Sequence, residues 1–127
     1  EKHLRKWVEE MEAAGNIEPS TAPWRSGVIC IPKSKGGIRT CTDLRKVNKT
    51  LMPVSWVTPI IQDLLDEVRG SRFISLMDLK SAFHQIPISP VEHRDRLTFC
   101  TQFGCYRWKT MPFGLSTAPA YFQRFID

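Results

Sequence analysis

The chain has 127 residues, 42% of them hydrophobic and 24% charged, the balance of one ordinary globular domain or part of one. Eighteen Lys and Arg against 13 Asp and Glu leave a formal charge of +5, an excess that suits a polyanionic partner such as nucleic acid without demanding one. No run of about 18 apolar residues exists, which excludes a spanning helix. The four cysteines, Cys30, Cys41, Cys100 and Cys105, form no Cys-x-x-Cys pair, so free thiols in a reducing compartment are expected rather than a disulfide or zinc framework.

In chain order, "KHLRKWVEEMEAAG" comes first. Leu4, Trp7, Val8 and Met11 recur at helical spacing, and Gly15 supplies a left-handed cap, which predicts an amphipathic helix. The Pro-, Ser- and Gly-rich "NIEPSTAPWRSG" reads as a loop. Two β-prone runs in "VICIPKSKGGIRTCT", joined at Gly36-Gly37, predict a hairpin with a basic tip. A second helix is predicted in "TPIIQDLLDEVRG". Thr58 is its N-cap, Pro59 its first residue, Ile61, Leu64, Leu65 and Val68 its buried stripe, and Gly70 its end. On its polar face Asp63, Asp66 and Glu67 are expected to be solvated.

Beyond it, "RFISLMD" is β-prone and apolar enough for a strand buried on both faces, and "HQIPI" is a candidate further strand. "RLTFCT" and "CYRWKTM", turning at "QFG", predict another hairpin, and "STAPAYFQRFID" opens as a helix with Pro119 early in it. The expected fold class is α+β, antiparallel strands with packed helices, ending inside its last helix as a fragment of something larger does.

Asp78 stands where the β-prone run meets a small, bendable segment. A carboxylate at the end of a buried strand must be paired, hydrogen-bonded or bound to a cation. Capping of the following turn is one answer and a hard divalent ion the other, although one carboxylate makes no metal site.

The run "SLMDLKSAFHQIPI" resembles the first acidic motif of reverse transcriptases of LTR retrotransposons and retroviruses. "TFCTQFGCYRWKTMPFGLSTAPAYFQR" resembles the strand, turn and Pro-Phe-Gly-Leu block that follows it in that family, and "GNIEPSTAPWRSGVICIPKSKGGIRTCTDLRKVNKTL" its fingers. The resemblance covers nearly the whole chain in unbroken order. Phe113, where retroviral enzymes often carry Gln, points to the gypsy class.

The resemblance implies the fingers and partial palm of a right-hand polymerase, with fingers at 1–52 and 86–117 and palm at 53–85 and 118–127. It makes Asp78 a magnesium or manganese ligand, with the Leu79 carbonyl as a second oxygen. It lays the backbone of Lys80, Ser81, Ala82 and Phe83 along the phosphates of a deoxynucleoside triphosphate, with Phe83 as the gate against a 2′-hydroxyl; otherwise Phe83 is a plain core residue. Lys33 and Arg39 match positions that grip the triphosphate, and without the resemblance they read as a solvated turn. Arg45 contacts template, or else it pairs with Asp43 to brace the fingers. Phe113, Gly114 and Pro119 match the segment beneath the nascent base pair and template strand, against a bland reading of turn and core. Trp24, Tyr106 and Trp108 are candidates for base stacking or for core, and His84 is expected to be packed.

The implied partners are an RNA or DNA template-primer and the remainder of a Pol polyprotein, namely the rest of the palm, thumb and RNase H, with no membrane. The implied setting is intracellular, in the cytoplasm or in virus-like particles. Two departures stand out. Gly27 follows Ser26 where the family commonly has Pro, which loosens the lead into the first strand. The aromatic-x-Asp-Asp hairpin that supplies the other metal carboxylates is not among these residues, so the chain alone is expected to be inactive as a polymerase. Its rivals are a non-catalytic retroelement-derived remnant that at most binds nucleic acid, and a basic nucleic-acid-binding module unrelated to polymerases.

Overall fold

A computed structural model describes residues 1–127. Helix α1 (Lys2–Ala13) ends as its sequence requires: Gly15 takes φ +75°, its amide donates to the Glu12 carbonyl at 3.0 Å, and the Asn16 amide donates to the Met11 carbonyl at 2.9 Å. These crossed bonds satisfy carbonyls that the last turn leaves free, and only a residue at ease with positive φ closes them cheaply. The apolar face of α1 carries buried Val8 and half-buried Trp7 and Met11 into the core.

The chain then forms β1 (Ile17–Pro19), a short strand inside the expected loop. It pairs antiparallel with β5 (Gly104–Trp108), opposing Ile17 to Trp108, and β5 pairs with β4 (Thr98–Thr101), giving the order β1-β5-β4. The predicted basic hairpin is present as β2 (Val28–Pro32) and β3 (Ile38–Thr42), with Ile31 opposite Arg39. The lead into β2 is tied down despite Gly27. The Ser26 amide donates to the Thr98 carbonyl at 2.9 Å, which joins the two sheets, and the Asp43 amide donates to the Gly27 carbonyl at 2.8 Å, which extends the β2–β3 pairing.

The core is one cluster of Val8, Ile17, Leu44, Val47, Leu97, Phe99 and Trp108. Leu44 and Val47 come from the segment around α2 (Arg45–Asn48), and Leu97 from a 3₁₀ segment, Val91–Leu97. Trp108 and Tyr106, candidates for base stacking, pack instead in or against this core, since both project from the central strand β5. The last helix, α4 (Ala118–Ile126), has Pro119 in its first turn.

Several expectations fail, each for a physical reason. Cys100 and Cys105 are joined by a disulfide. No local cysteine motif announces it, because the β4–β5 register sets the two residues opposite each other across the hairpin. Helix α3 (Ile61–Glu67) starts after Thr58 and Pro59, with extended Ile60 before it and no side-chain cap. Its stripe of Ile61, Leu64, Leu65 and Val68 is exposed, as no element of the chain packs against it. Residues 72–78 form no strand, and Phe73, Leu76 and Met77 are 93%, 96% and 91% exposed. A buried strand needs neighbours for its ladder and both faces, and the fold sets none beside this run. "HQIPI" divides between a 3₁₀ turn, Ala82–Gln85, and a single bridge between Pro87 and Thr110. No helix is long and apolar enough to cross a membrane.

Candidate nucleotide-binding site

Three segments distant in sequence bring three of the expected site residues together. Strand β3 supplies Arg39, the 3₁₀ turn supplies Phe83, and the loop after β5 supplies Phe113. The Arg39 guanidinium lies 5.5 Å from the centre of the Phe113 ring, a cation–π arrangement. The Phe83 and Phe113 rings are 5.3 Å apart at 55°, and Phe122 of α4 meets Phe83 edge-on at 5.6 Å. Phe113 remains 37% exposed, so the cluster offers a partly open aromatic surface with a cation beside it.

The loop that carries Phe113 is pinned from below. Asn48 Nδ2 donates to the Gly114 carbonyl at 2.8 Å, and Asn48 Oδ1 accepts from the Ser116 amide at 2.9 Å. Gly114 turns with φ +98°, a conformation that side chains resist. Pro119 is exposed in the first turn of α4. Asn48 had no assigned role in the sequence. Its side-chain amide matches two backbone groups of a loop 66 and 68 positions away, which no local pattern announces.

At the tip of the β2–β3 hairpin Lys33, Lys35 and Arg39 line an open hollow with Ile31, Pro32 and Ser34. None of the three cations forms an ion pair. The tip is therefore an uncompensated positive surface, able to receive an anion. Arg45, in contrast, is engaged: Nε and Nη2 donate to the two Asp43 oxygens at 2.8 and 2.7 Å. Hydrogen bonding by the Arg45 side chain and backbone holds the half-buried Asp43 carboxyl below the usual carboxylate range, at about 2. The Asp43–Arg45 pair expected as one alternative for Arg45 is formed.

Asp78 caps no turn, forms no ion pair and is exposed. No three His, Cys, Asp or Glu side chains gather into a group able to hold a metal. Leu79 is partly exposed beside Asp78. The next residues turn sharply: Ser81 sits in the left-handed region at φ +50°, its carbonyl accepts the His84 amide at 3.0 Å, and the Lys80 carbonyl accepts Gln85 Nε2 at 2.8 Å. Ala82 and Phe83 follow in the 3₁₀ turn. His84 packs as expected, stacked on Trp108 with centroids 5.3 Å apart and meeting Phe113 edge-on at 5.1 Å. Burial pushes its imidazole below the ordinary histidine range.

This arrangement of two antiparallel sheets, flanking helices and a basic hairpin is the fold of retroviral reverse transcriptases. It aligns with prototype foamy virus protease-reverse transcriptase at a TM-score of 0.82 and 24% identity, covering 97% of this chain and 16% of that one. A foamy viral protease-reverse transcriptase in complex with double-stranded DNA aligns at 0.76 and 20% identity, covering 97% of this chain and 20% of the other. The family model for reverse transcriptase (RNA-dependent DNA polymerase) matches residues 31–127, and the chain belongs to that family, whose members generally depend on a divalent metal. The chain is 36% identical over 114 residues to the transposon Tf2-3 polyprotein of Schizosaccharomyces pombe, a match covering 90% of the chain and 8% of the relative. It is also 36% identical over 116 residues to the retrovirus-related Pol polyprotein from transposon 412 of Drosophila melanogaster, covering 87% of the chain and 9% of the relative. It thus spans under a tenth of the curated relatives it matches.

Proposed function

We propose that the chain forms the fingers (1–52 and 86–117) and first palm segments (53–85 and 118–127) of an RNA-directed DNA polymerase within an LTR-retrotransposon Pol polyprotein. That protein would extend a primer 3′-hydroxyl with deoxynucleoside triphosphates on an RNA or DNA template, inside the cell. One observation carries this reading: Arg39, Phe83 and Phe113, from three distant segments, converge beside an unpaired basic hairpin tip. The tip cations Lys33 and Arg39 receive the triphosphate, and a guanidinium and an ammonium suit that task. Phe83 stands beneath the sugar, and the backbone of Lys80, Ser81 and Ala82 follows the phosphates. Phe113, Gly114 and Pro119 lie under the new base pair and template strand. Arg45, braced by Asp43, retains one guanidinium nitrogen for a template phosphate.

Asp78 is one carboxylate toward a magnesium or manganese ion, with the Leu79 carbonyl as its neighbour. A divalent ion takes about six oxygen ligands. No three His, Cys, Asp or Glu side chains of these 127 residues gather into a metal-holding group, so the chain does not make the metal centre by itself. The unpaired cations of the hairpin tip, Lys33, Lys35 and Arg39, would equally serve a second reading, a non-catalytic remnant that binds nucleic acid only.

Two substitutions in a complete reverse transcriptase domain carrying these residues test the polymerase reading. Asp78→Asn is expected to abolish primer extension while leaving duplex affinity nearly intact, as measured by gel extension and fluorescence anisotropy; wild-type extension rates would remove Asp78 from the chemistry. Phe83→Val is expected to admit ribonucleotides, because it deletes the ring beneath the sugar. Unchanged sugar selectivity would take Phe83 out of the gate. A remnant would bind duplex but extend nothing even with its own residues intact.

A further inference from the structure

His84 is the one side chain with a buried nitrogen that meets no hydrogen-bond partner: Nε2 is sealed from solvent and nothing in the chain donates to it or accepts from it. A stranded polar atom is costly to bury, and a phenylalanine ring fills similar space without that cost. The ring's position is therefore better judged by what it touches than by any bond it makes.

One of its faces lies on Trp108, at 27° between planes. That indole is fixed on its other sides. It is 3% exposed, its Nε1–H donates to Thr42 Oγ1 at 3.0 Å, Trp7 meets it edge-on at 6.1 Å, and Phe99 lies 5.8 Å away. The edge of His84 presses on Phe113 at 67° between planes. Phe113 in turn carries Arg39 and adjoins Phe83. His84 is thus the single ring in contact with both buried Trp108 and Phe113 of the site's aromatic surface. Its backbone amide closes the Ser81 turn, which ties the His84 backbone to the segment that carries Phe83.

We propose that His84 is a positioning residue for the incoming nucleotide: a flat, neutral ring that transfers the fixed place of Trp108 to Phe113 and, through Phe113, to Arg39. This rests on the polymerase reading given above. The groups it places touch the nucleotide rather than the reacting hydroxyl, so its loss acts on nucleotide binding before it acts on turnover.

The test is steady-state and single-turnover incorporation by a complete reverse transcriptase domain carrying His84→Phe, His84→Ala or His84→Leu. His84→Ala is expected to raise KM for the deoxynucleotide about tenfold, in line with the sensitivity of positioned sites to small displacements, with kcat and template-primer affinity little changed. His84→Phe, which keeps a flat ring, is expected to restore KM to about the wild-type value. Should His84→Ala not fold, His84→Leu fills the space without a flat ring and is expected to show the same rise in KM. An unchanged KM in His84→Ala or His84→Leu overturns the proposal. So does a parallel loss of kcat, KM and duplex affinity in every variant, which is the mark of a merely structural residue. The unaltered domain separates the two readings. If it extends no primer, the polymerase reading fails and the proposal with it; if it extends normally while the variants leave KM unmoved, only the role of His84 fails.

Discussion

A single amide at Asn48 holds the loop between Pro112 and Ser116, donating at one end and accepting at the other. A carboxylate cannot donate, so Asn48→Asp loses the bond to Gly114 and sets a charge against a carbonyl, whereas Asn48→Ala loses both bonds. We expect Asn48→Ala to destabilise a complete domain by about 1–2 kcal/mol, the net worth of one or two hydrogen bonds, and to weaken nucleotide binding because Phe113 rides on that loop. A urea midpoint equal to wild type would show that the loop holds itself. His84 makes a second prediction at this scale. Burial lowers its folded pKa below 6.5, so as pH falls through 6.5 the unfolded chain takes up the proton first. Stability is therefore lost progressively from 6.5 down to the folded pKa and is insensitive to His84 above that window. An imidazole titration followed by NMR should find His84 below the ordinary histidine value. A titration at or above 6.5 would show that the ring is solvated.

At the scale of elements, Glu18 ties three of them. It sits on β1 and receives Arg107 of β5 at 2.8 Å and Arg94 of the 3₁₀ segment at 3.4 Å, while Arg107 also reaches Asp95 of that segment at 2.6 Å. Burial pulls the Glu18 carboxyl upward, but the hydrogen bonds and charges of Arg107 and Arg94 outweigh it and hold the group below its ordinary 4.5. The stabilisation is present above 4.5 and disappears as pH falls through the lower folded value. Glu18→Gln is expected to cost about 1–2 kcal/mol at pH 7, since both arginines lose a charged acceptor, and to flatten the acid limb of the stability profile. A variant with an unchanged acid limb would show the network to be idle.

The same scale separates what could be read in the sequence from what could not. Local signals were enough for α1, whose period and Gly15 cap lie within fifteen residues, and for both hairpins, whose turns mark them. The sequence at β1 reads as a loop because its pairing partner, β5, lies far along the chain. The period of α3 was legible but its burial was not, since a stripe does not name its partner. The run at 72–78 had strand composition, yet composition supplies no neighbouring strand. In the site, the residue types of Lys33, Arg39, Phe83 and Phe113 came from motifs. The contacts of His84 with Trp108 and of Asn48 with Gly114 came only from the fold.

For the molecule as a whole, the accessible surface is 9736 Å², whereas a compact chain of 14.6 kDa exposes about 6,900 Å². The excess is concentrated on one stretch: Met52, Val57, Ile60, Ile61, Phe73, Ile74, Leu76 and Met77 are all exposed. Apolar patches of this extent drive association. The 127-residue chain in solution is expected to self-associate and to bind hydrophobic dyes, and Leu76→Lys with Met77→Lys should shift it toward monomer in light scattering. A monodisperse monomer without those changes would show that the stretch folds over itself in solution.

The pairing of β1 with β5 also fixes a calendar for the newborn chain. Glu18 and Arg107 are 89 positions apart, so at about 5–20 residues per second the ribosome needs roughly 4 to 18 s after making one to make the other. Throughout that interval Ile17, Val8 and Trp7 lack the β4–β5 strands that complete their core. The β4–β5 hairpin, by contrast, can zip within microseconds of its emergence. Strand β1 is made well before the strand that seats it, and α1 waits through that interval for a companion still to be translated.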